Sequence, residues 1–303
     1  MSNILIAGGS GLVGTRLSRL LTEADHSVAW LSRSQRSDVP YPVYHWDVEA
    51  SELATDAVDW AEVIINLAGA GIADQLWTAS RKKTIVKSRT ASTDLLRRKI
   101  LESKDPPSRY ISASAIGYYG DRGTQWLSET AEPGNGFLST TTRAWEDAAH
   151  QIKAEGIPVY IVRIGVVLST QGGALPKMLL PLKLKAATYF GDGEQYYSWI
   201  HIDDLCRIFM HLATNPDVAP GTYNGVAPQP VTNKALMQSL ATLKGGAVLL
   251  PAPKFALKMG MGEMAHVVLD SARVKSKKIE GSGFVFKFPT VEHALTDVLE
   301  RQV

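Results

Sequence analysis

Apolar and polar positions along the first half of the chain switch period again and again. "NILIAG" (3–8) is a short unbroken apolar run, the signature of a buried strand, and Leu12, Val13, Leu17, Leu20 and Leu21 then recur at helical spacing over 12–24. "HSVAWLSRS" (26–34), "YPVYHWDV" (41–48) and "AEVIINLAGA" (61–70) read as the second to fourth strands. A long helix is expected over 79–103, a fifth strand at "SRYISASAIG" (108–117), a second long helix over 137–155 and a sixth strand at "IPVYIVRIGVVL" (157–168). Unbroken apolar runs suit strands covered on both faces. Their alternation with helices predicts an α/β fold built on a doubly wound parallel sheet. Beyond Leu168 the periodicity weakens as Pro and Gly become frequent. Residues 249–269 read as a loop followed by a helix, and "GDGEQ" (191–195) reads as a hairpin turn. The expected organisation is a main domain over 1–168, with segments near 195–227 returning to it, and a smaller lobe over 169–303.

The junction between the first strand and first helix carries chemistry. Gly8, Gly11 and Gly14 form GxxGxxG there. Gly8 suits a tight turn, Gly11 lets main chain approach a phosphate, and Gly14 lets helix and strand pack closely, which is the logic of a Rossmann-type dinucleotide site. Gly9, Ser10, Leu12 and Val13 complete the loop and the helix start, whose amides and positive dipole end face the anion. No Lys follows, so this is not a nucleoside-triphosphate loop. At the end of the second strand, where an acid would grip a ribose diol, stand Ser32, Arg33 and Ser34, with Arg36 beyond. A guanidinium and hydroxyls suit a 2′-phosphate, so NADP(H) is favoured over NAD(H). Were that strand to end two residues earlier, Arg33 would be an ordinary solvated charge.

Composition narrows the partners. The chain has 303 residues, 45% hydrophobic and 20% charged, with a net charge of +2 and no massed basic segment, so a nucleic-acid partner is not expected. The single cysteine, Cys206, cannot form an internal disulfide, which fits a reducing compartment. No signal-like opening and no apolar run of ~20 residues is present, so neither a cleaved leader nor a membrane span is expected. The expected location is cytoplasmic. The seven histidines show no HxH or HExxH spacing, so no metal is expected.

Several stretches together resemble the short-chain dehydrogenase/reductase superfamily in its extended, epimerase-like branch. "AGGSGLVG" (7–14) is similar to its glycine loop, "HWDV" (45–48) places Asp47 at its adenine contact, and "NLAG" (66–69) brings Asn66, Ala68 and Gly69 beside the cofactor. "ISASAIGYYG" (111–120) resembles the strand with the family's catalytic serine, here Ser114, and "WIHIDDL" (199–205) resembles a segment of extended members. "GYYGDRG" (117–123), "RAWEDAA" (143–149), "MGEMA" (261–265) and "GFVFKFP" (283–289) resemble an uncharacterised epimerase-like branch with a C-terminal extension. The resemblance implies Ser88 near the cofactor, a nucleotide-sugar-like small-molecule substrate, and a homodimer as the assembly common among members.

One family hallmark is missing. Its Tyr-x-x-x-Lys pair puts both side chains on one helix face, and the Tyr exchanges a proton with substrate oxygen. Counting back in fours from Glu146 puts Thr142 in the Lys slot and Leu138 in the Tyr slot, and 137–149 contains neither Tyr nor Lys. Tyr118, beside Ser114, is the best remaining proton donor, with Tyr119 the fallback. His201 with Asp203 and Asp204 reads mainly as a structural junction. Arg163 could meet an anion or pair with an acid, and Tyr196, Tyr197 and Trp199 could line a cleft or simply pack. Lys82, Lys83, Lys87 and Arg89 read as one solvated helix face. The expectation is an NADP(H)-binding oxidoreductase or epimerase-like enzyme acting on a small polar carbonyl or alcohol. The alternatives are a non-catalytic NADP(H) sensor that reports to a partner, or an isomerase or lyase using the cofactor differently.

Overall fold

The computed structural model describes residues 1–34 and 38–301; Arg36 lies outside the described residues. An eight-stranded sheet forms the centre. In chain order its first six strands are β1 (Asn3–Ala7), β2 (Ser27–Ser32), β3 (Val43–Asp47), β4 (Glu52–Leu53), β5 (Val63–Asn66) and β6 (Arg109–Ala115). Across the sheet, Gly221–Gly225 forms one edge, followed by Val159–Ile164, β6, β5, β1, β2, β3 and β4. Every pairing is parallel except β3 with β4. The reversal of order at β1 opens a crevice beyond the carboxyl ends of the strands, where open α/β sheets bind ligands.

Strand alternation explains the two layers of helices. Ile4 and Ile6 point into a core shared with α1 (Leu12–Glu23) and the helix Ile202–Thr214. Leu5 and Ala7 point the other way, into a core shared with α2 (Thr55–Trp60), α3 (Ala79–Glu102) and α4 (Gly136–Ala154). Strands buried on both faces need unbroken apolar sequence, which is what these runs supply.

Three expectations need correction. The sixth strand breaks at Gly165 into Val159–Ile164 and Val166–Leu168, because Ser198 O lies 2.3 Å from where a Cβ would stand at 165. The second piece then pairs with Trp199–His201. The segment 249–269 opens as a strand, Val248–Ala252, which pairs in parallel with Ala186–Phe190; the following helix, Lys254–Met261, stops at Gly262 (φ 56°). "GDGEQ" does turn, through Gly191 and Gly193 at positive φ, but its flanking strands pair with distant segments and form no hairpin.

A separate apolar cluster gathers around Trp199, Leu236, Phe288 and Leu295. Polar contacts join the C-terminal segments to the helices on the sheet. Asp203 accepts from Arg16 Nε at 2.7 Å and lies 2.8 Å from Arg301 Nη2, so it joins the first helix to the last residues described. Burial opposes ionisation of Asp203, but the two guanidiniums outweigh it and hold its carboxyl well below the usual range. Asp204 accepts the backbone amides of Lys287 and Phe288. His201 stacks on Phe288 at 3.8 Å, with Nδ1 accepting from Asp203 N and Nε2 facing Asp297 at 3.0 Å. The structural role expected for this stretch is therefore the one its geometry gives. Among the described residues no helix is long and apolar enough to cross a membrane.

Candidate functional site

The glycine loop is shaped by contacts that exclude side chains. Gly8 has φ 83° and packs on the turn after β5, where a Cβ would lie 3.0 Å from Leu67 C. A Cβ on Gly14 would stand 2.3 Å from Gly8 O, so helix α1 can meet the loop only if residue 14 is bare. Gly9 is needed for a different reason than the ligand: Trp30 Cδ1 lies 2.4 Å from its Cβ position. Gly11 caps α1 without a side chain, and a Cβ there would meet only Gly8 O, at 3.3 Å. Gly11 itself is exposed. Leu12, Val13 and Gly14 form the first turn, whose amides have no partner within the helix. Leu12 and Val13 pack their side chains on the core, so main chain is what they offer an anion.

At the rim, β2 ends at Ser32, two residues short of expectation, so Arg33 and Ser34 stand exposed just beyond it and Arg33 is a solvated charge in the free protein. Ser32 Oγ accepts from Ser34 N. Asp47 closes β3, and its Oδ1 accepts the amides of Glu49 and Ala50, which depress its pKa.

The NLAG turn is organised by residues expected to touch cofactor directly. Asn66 is fully buried and donates to Tyr110 Oη and Thr93 Oγ1 while accepting from Ala68 N. It shapes the turn and has no side-chain surface to give a ligand. Ser88 accepts from Ala70 N and donates to Ile85 O, so it clamps α3 to the same turn. In the same turn Ala68 is partly buried and Gly69 is exposed. Arg89 corrects the solvated-face reading. Its guanidinium lies over Trp145 (5.0 Å) and so close to Gly69 that a Cβ there would sit 3.1 Å from Cζ. Burial and the nearby Arg81 lower its pKa to about 10, and among the described residues no carboxylate pairs with it. Arg89 Nη1 donates to its own helix at Ile85 O, and the guanidinium stands half-buried beside the turn. Its helical spacing from Ile85 concealed it among solvated lysines.

Beneath the crevice lies a sealed polar network. Ser114 is 2% exposed and donates to Glu146 Oε1 at 2.6 Å, so it supports a neighbour and presents no hydroxyl to a substrate. Arg163 grips both oxygens of Glu146 at 2.8 Å. Burial opposes the guanidinium charge, but Glu146 outweighs it and raises the pKa. Tyr119 donates to Asn224 and accepts from Arg163, and burial pushes it up to about 12, so the fallback proton donor is structural. Tyr118 is half-buried, its ring stacked 3.4 Å from Arg163 Cζ. On α4, Thr142 donates to its own helix, and Leu138 packs against Gly117.

A cavity of about 340 Å³ opens beside Leu138. One wall is Gly134–Leu138 at the start of α4 together with Asp121 and Arg122; the other is Glu263, His266 and Asp270. Trp77 and Phe137 meet edge to face at 4.8 Å along it. Glu263 pairs with Lys82 of α3, whose ammonium also lies 5.1 Å from the Phe137 ring. Sequence spacing alone linked none of the C-terminal residues to this place.

A parallel doubly wound sheet, a glycine loop on the first helix and a turn wrapped on that loop define a dinucleotide-binding fold of the Rossmann type. The profile of the NAD dependent epimerase/dehydratase family matches residues 4–224, and that of a domain of unknown function (DUF1731) matches 252–298. The chain belongs to that epimerase/dehydratase family. It is 35% identical to the epimerase family protein YfhF of Bacillus subtilis over 98% of both chains. It is 33% identical to the chloroplastic SDR39U1 homolog of Arabidopsis thaliana, over 98% of this chain and 86% of that one. The crystal structure of human SDR39U1 (isoform 2) with NADPH superposes with a TM-score of 0.90 at 30% identity, covering 98% of this chain and 99% of that one.

Proposed function

We propose that the protein is an NADP(H)-dependent oxidoreductase or epimerase-like enzyme acting on a small polar carbonyl or alcohol. One observation carries the cofactor half of this reading. Bare main chain at Gly8–Gly14 leads into the open first turn of α1, and Gly8 packs on the same turn that Arg89 touches at Gly69. Open amides of that kind suit a pyrophosphate. The similar human protein was crystallised with NADPH, which supports the same assignment. Arg33, Ser32 and Ser34 at the mouth of β2 would receive a 2′-phosphate, and Asp47 would stand beside adenine.

When bound, the nicotinamide supplies or accepts hydride. The chain's part is to fix the ring's neighbours and to handle the proton. Glu146, Arg163 and Ser114 hold the end of β6 rigid. Tyr118 is the half-buried hydroxyl in the turn Ile116–Tyr119 that follows that strand. The reading as a non-catalytic sensor is favoured by Leu138 and Thr142 in the two slots of the usual proton-transfer pair. Arg33→Ala tests the cofactor assignment. NADPH affinity falls ~10–100-fold while NADH affinity is unchanged, as titration calorimetry would measure. Equal losses for both defeat the 2′-phosphate role, and steady turnover of any carbonyl defeats the sensor.

A further inference from the structure

The cavity beside Leu138 holds a proton carrier on the wall facing α4. His266 and Asp270 are four residues apart, so their side chains share a face, and His266 Nδ1 meets Asp270 Oδ1 at 2.7 Å. With Nδ1 committed to a carboxylate, Nε2 is the ring atom left for a ligand, and among the described residues it has no hydrogen-bond partner. The cavity's other charged groups are Asp121, Arg122 and Glu263. Asp121 accepts the amides of Gly123 and Ser271, Arg122 donates to Gln125 and to Glu132 O, and Glu263 pairs with Lys82. Burial raises the Asp270 pKa, partly offset by His266, as expected for a carboxyl drawn into a cleft. The opposite wall carries Leu138, which occupies the slot where related enzymes place a tyrosine. At about 340 Å³ the cavity lies at the small end of ligand pockets, roughly 300–1,000 Å³. Arg122 and the Trp77–Phe137 pair give it one polar and one aromatic side.

We propose that His266, oriented by Asp270, exchanges a proton with the oxygen of a small polar carbonyl or alcohol held in this cavity. The proposal rests on the NADP(H) reading above. In the reducing direction the carbonyl π bond breaks as its carbon takes hydride from reduced nicotinamide and its oxygen takes the Nε2 proton. The substrate is reduced, the nicotinamide is oxidised, and the imidazole, 57% exposed, recovers a proton from solvent. His266 is the catalytic residue; Asp270 is a positioning residue.

The test uses the full chain with NADPH and two probe carbonyls, glyceraldehyde and butane-2,3-dione, in the wild type, H266Q, D270N and Y118F. NADPH affinity should stay within about twofold in H266Q and D270N. H266Q should lower kcat by ~100-fold or more with KM little changed, and should remove the fall in rate at rising pH that a general acid imposes. D270N should lower kcat ~10-fold and move that fall to lower pH, which a merely structural carboxylate would not do. A second readout needs no turnover. In 15N-histidine-labelled protein, the ring resonance that disappears in H266Q should move on adding NADP⁺ and take a different position with NADPH. Near-wild-type kcat in H266Q, loss of turnover in Y118F alone, a ring resonance indifferent to bound cofactor, or a wild type that binds NADPH and reduces neither probe each overturns the proposal while leaving the cofactor reading intact. Absence of NADPH binding overturns both.

Discussion

Two polar clusters flank helix α4, and they differ in what their side chains have left to give. Beneath the helix, Glu146, Arg163, Ser114 and Tyr119 spend their polar atoms on one another, with Arg163 and Glu146 only 4% and 6% exposed. Beside its N-terminus, the cavity around His266 leaves one imidazole nitrogen open. The two His–Asp pairs repeat the contrast. His201 uses both ring nitrogens and lies sealed against Phe288, whereas His266 uses one and faces a void. A saturated cluster stabilises the fold, while an unsaturated one is free to meet a ligand.

The sharpest way to break that contrast is Glu146→Gln, which strands a buried guanidinium. It should cost about 3–5 kcal/mol in chemical denaturation, the range for breaking one side of a buried pair. His201→Gln should cost about 2–3 kcal/mol through two lost hydrogen bonds and a lost ring contact. It should also flatten an acid slope. Burial lowers the His201 pKa below its ordinary value, so the native state holds this ring neutral. Its stabilising share is complete above the unfolded pKa of ~6.5 and declines as pH falls through that value, because the unfolded chain then binds the extra proton. Urea midpoints measured between pH 7.5 and 5.5 should fall less in the variant than in the wild type. Gly11→Val should abolish binding of both nicotinamide cofactors by calorimetry while the fold persists, since a Cβ there meets only Gly8 O, at 3.3 Å, and its methyl groups would cover the exposed main chain of the loop. The smallest stability effect belongs to His266→Gln, under about 0.5 kcal/mol, as for an ordinary surface change. A large loss there would place His266 with His201, among the residues the fold requires.

Legibility follows the same line. The sheet, α1, α3 and α4 were readable because strands buried on both faces and amphipathic helices must repeat their residue types at fixed intervals. The cradle was readable because backbone geometry at Gly8 and Gly14 admits one residue type. Gly9, Asn66 and Ser88 stand in the loop, turn and helix expected of them, and their contacts go to Trp30, the NLAG turn and α3. Position in sequence marks proximity, not which atom is turned outward. Ser114 shows the difference: its hydroxyl is given to Glu146. The strand break at Gly165 and the pairing of Val248–Ala252 with Ala186–Phe190 depend on partners far along the chain, and no local period encodes them. The cavity is the extreme case, since 121–122, 134–138 and 263–270 meet only after the C-terminal segment docks.

Asp203 turns the molecule into a closed circuit. Arg16 reaches it from the second turn of the helix whose opening amides border the crevice, and Arg301 reaches it from the far end of the described chain. Whatever tightens the one helix therefore tightens the other: occupancy of the cradle should slow amide exchange around 295–300, and loosening that last stretch should be felt as weaker grip on phosphate, more than two hundred residues away in sequence.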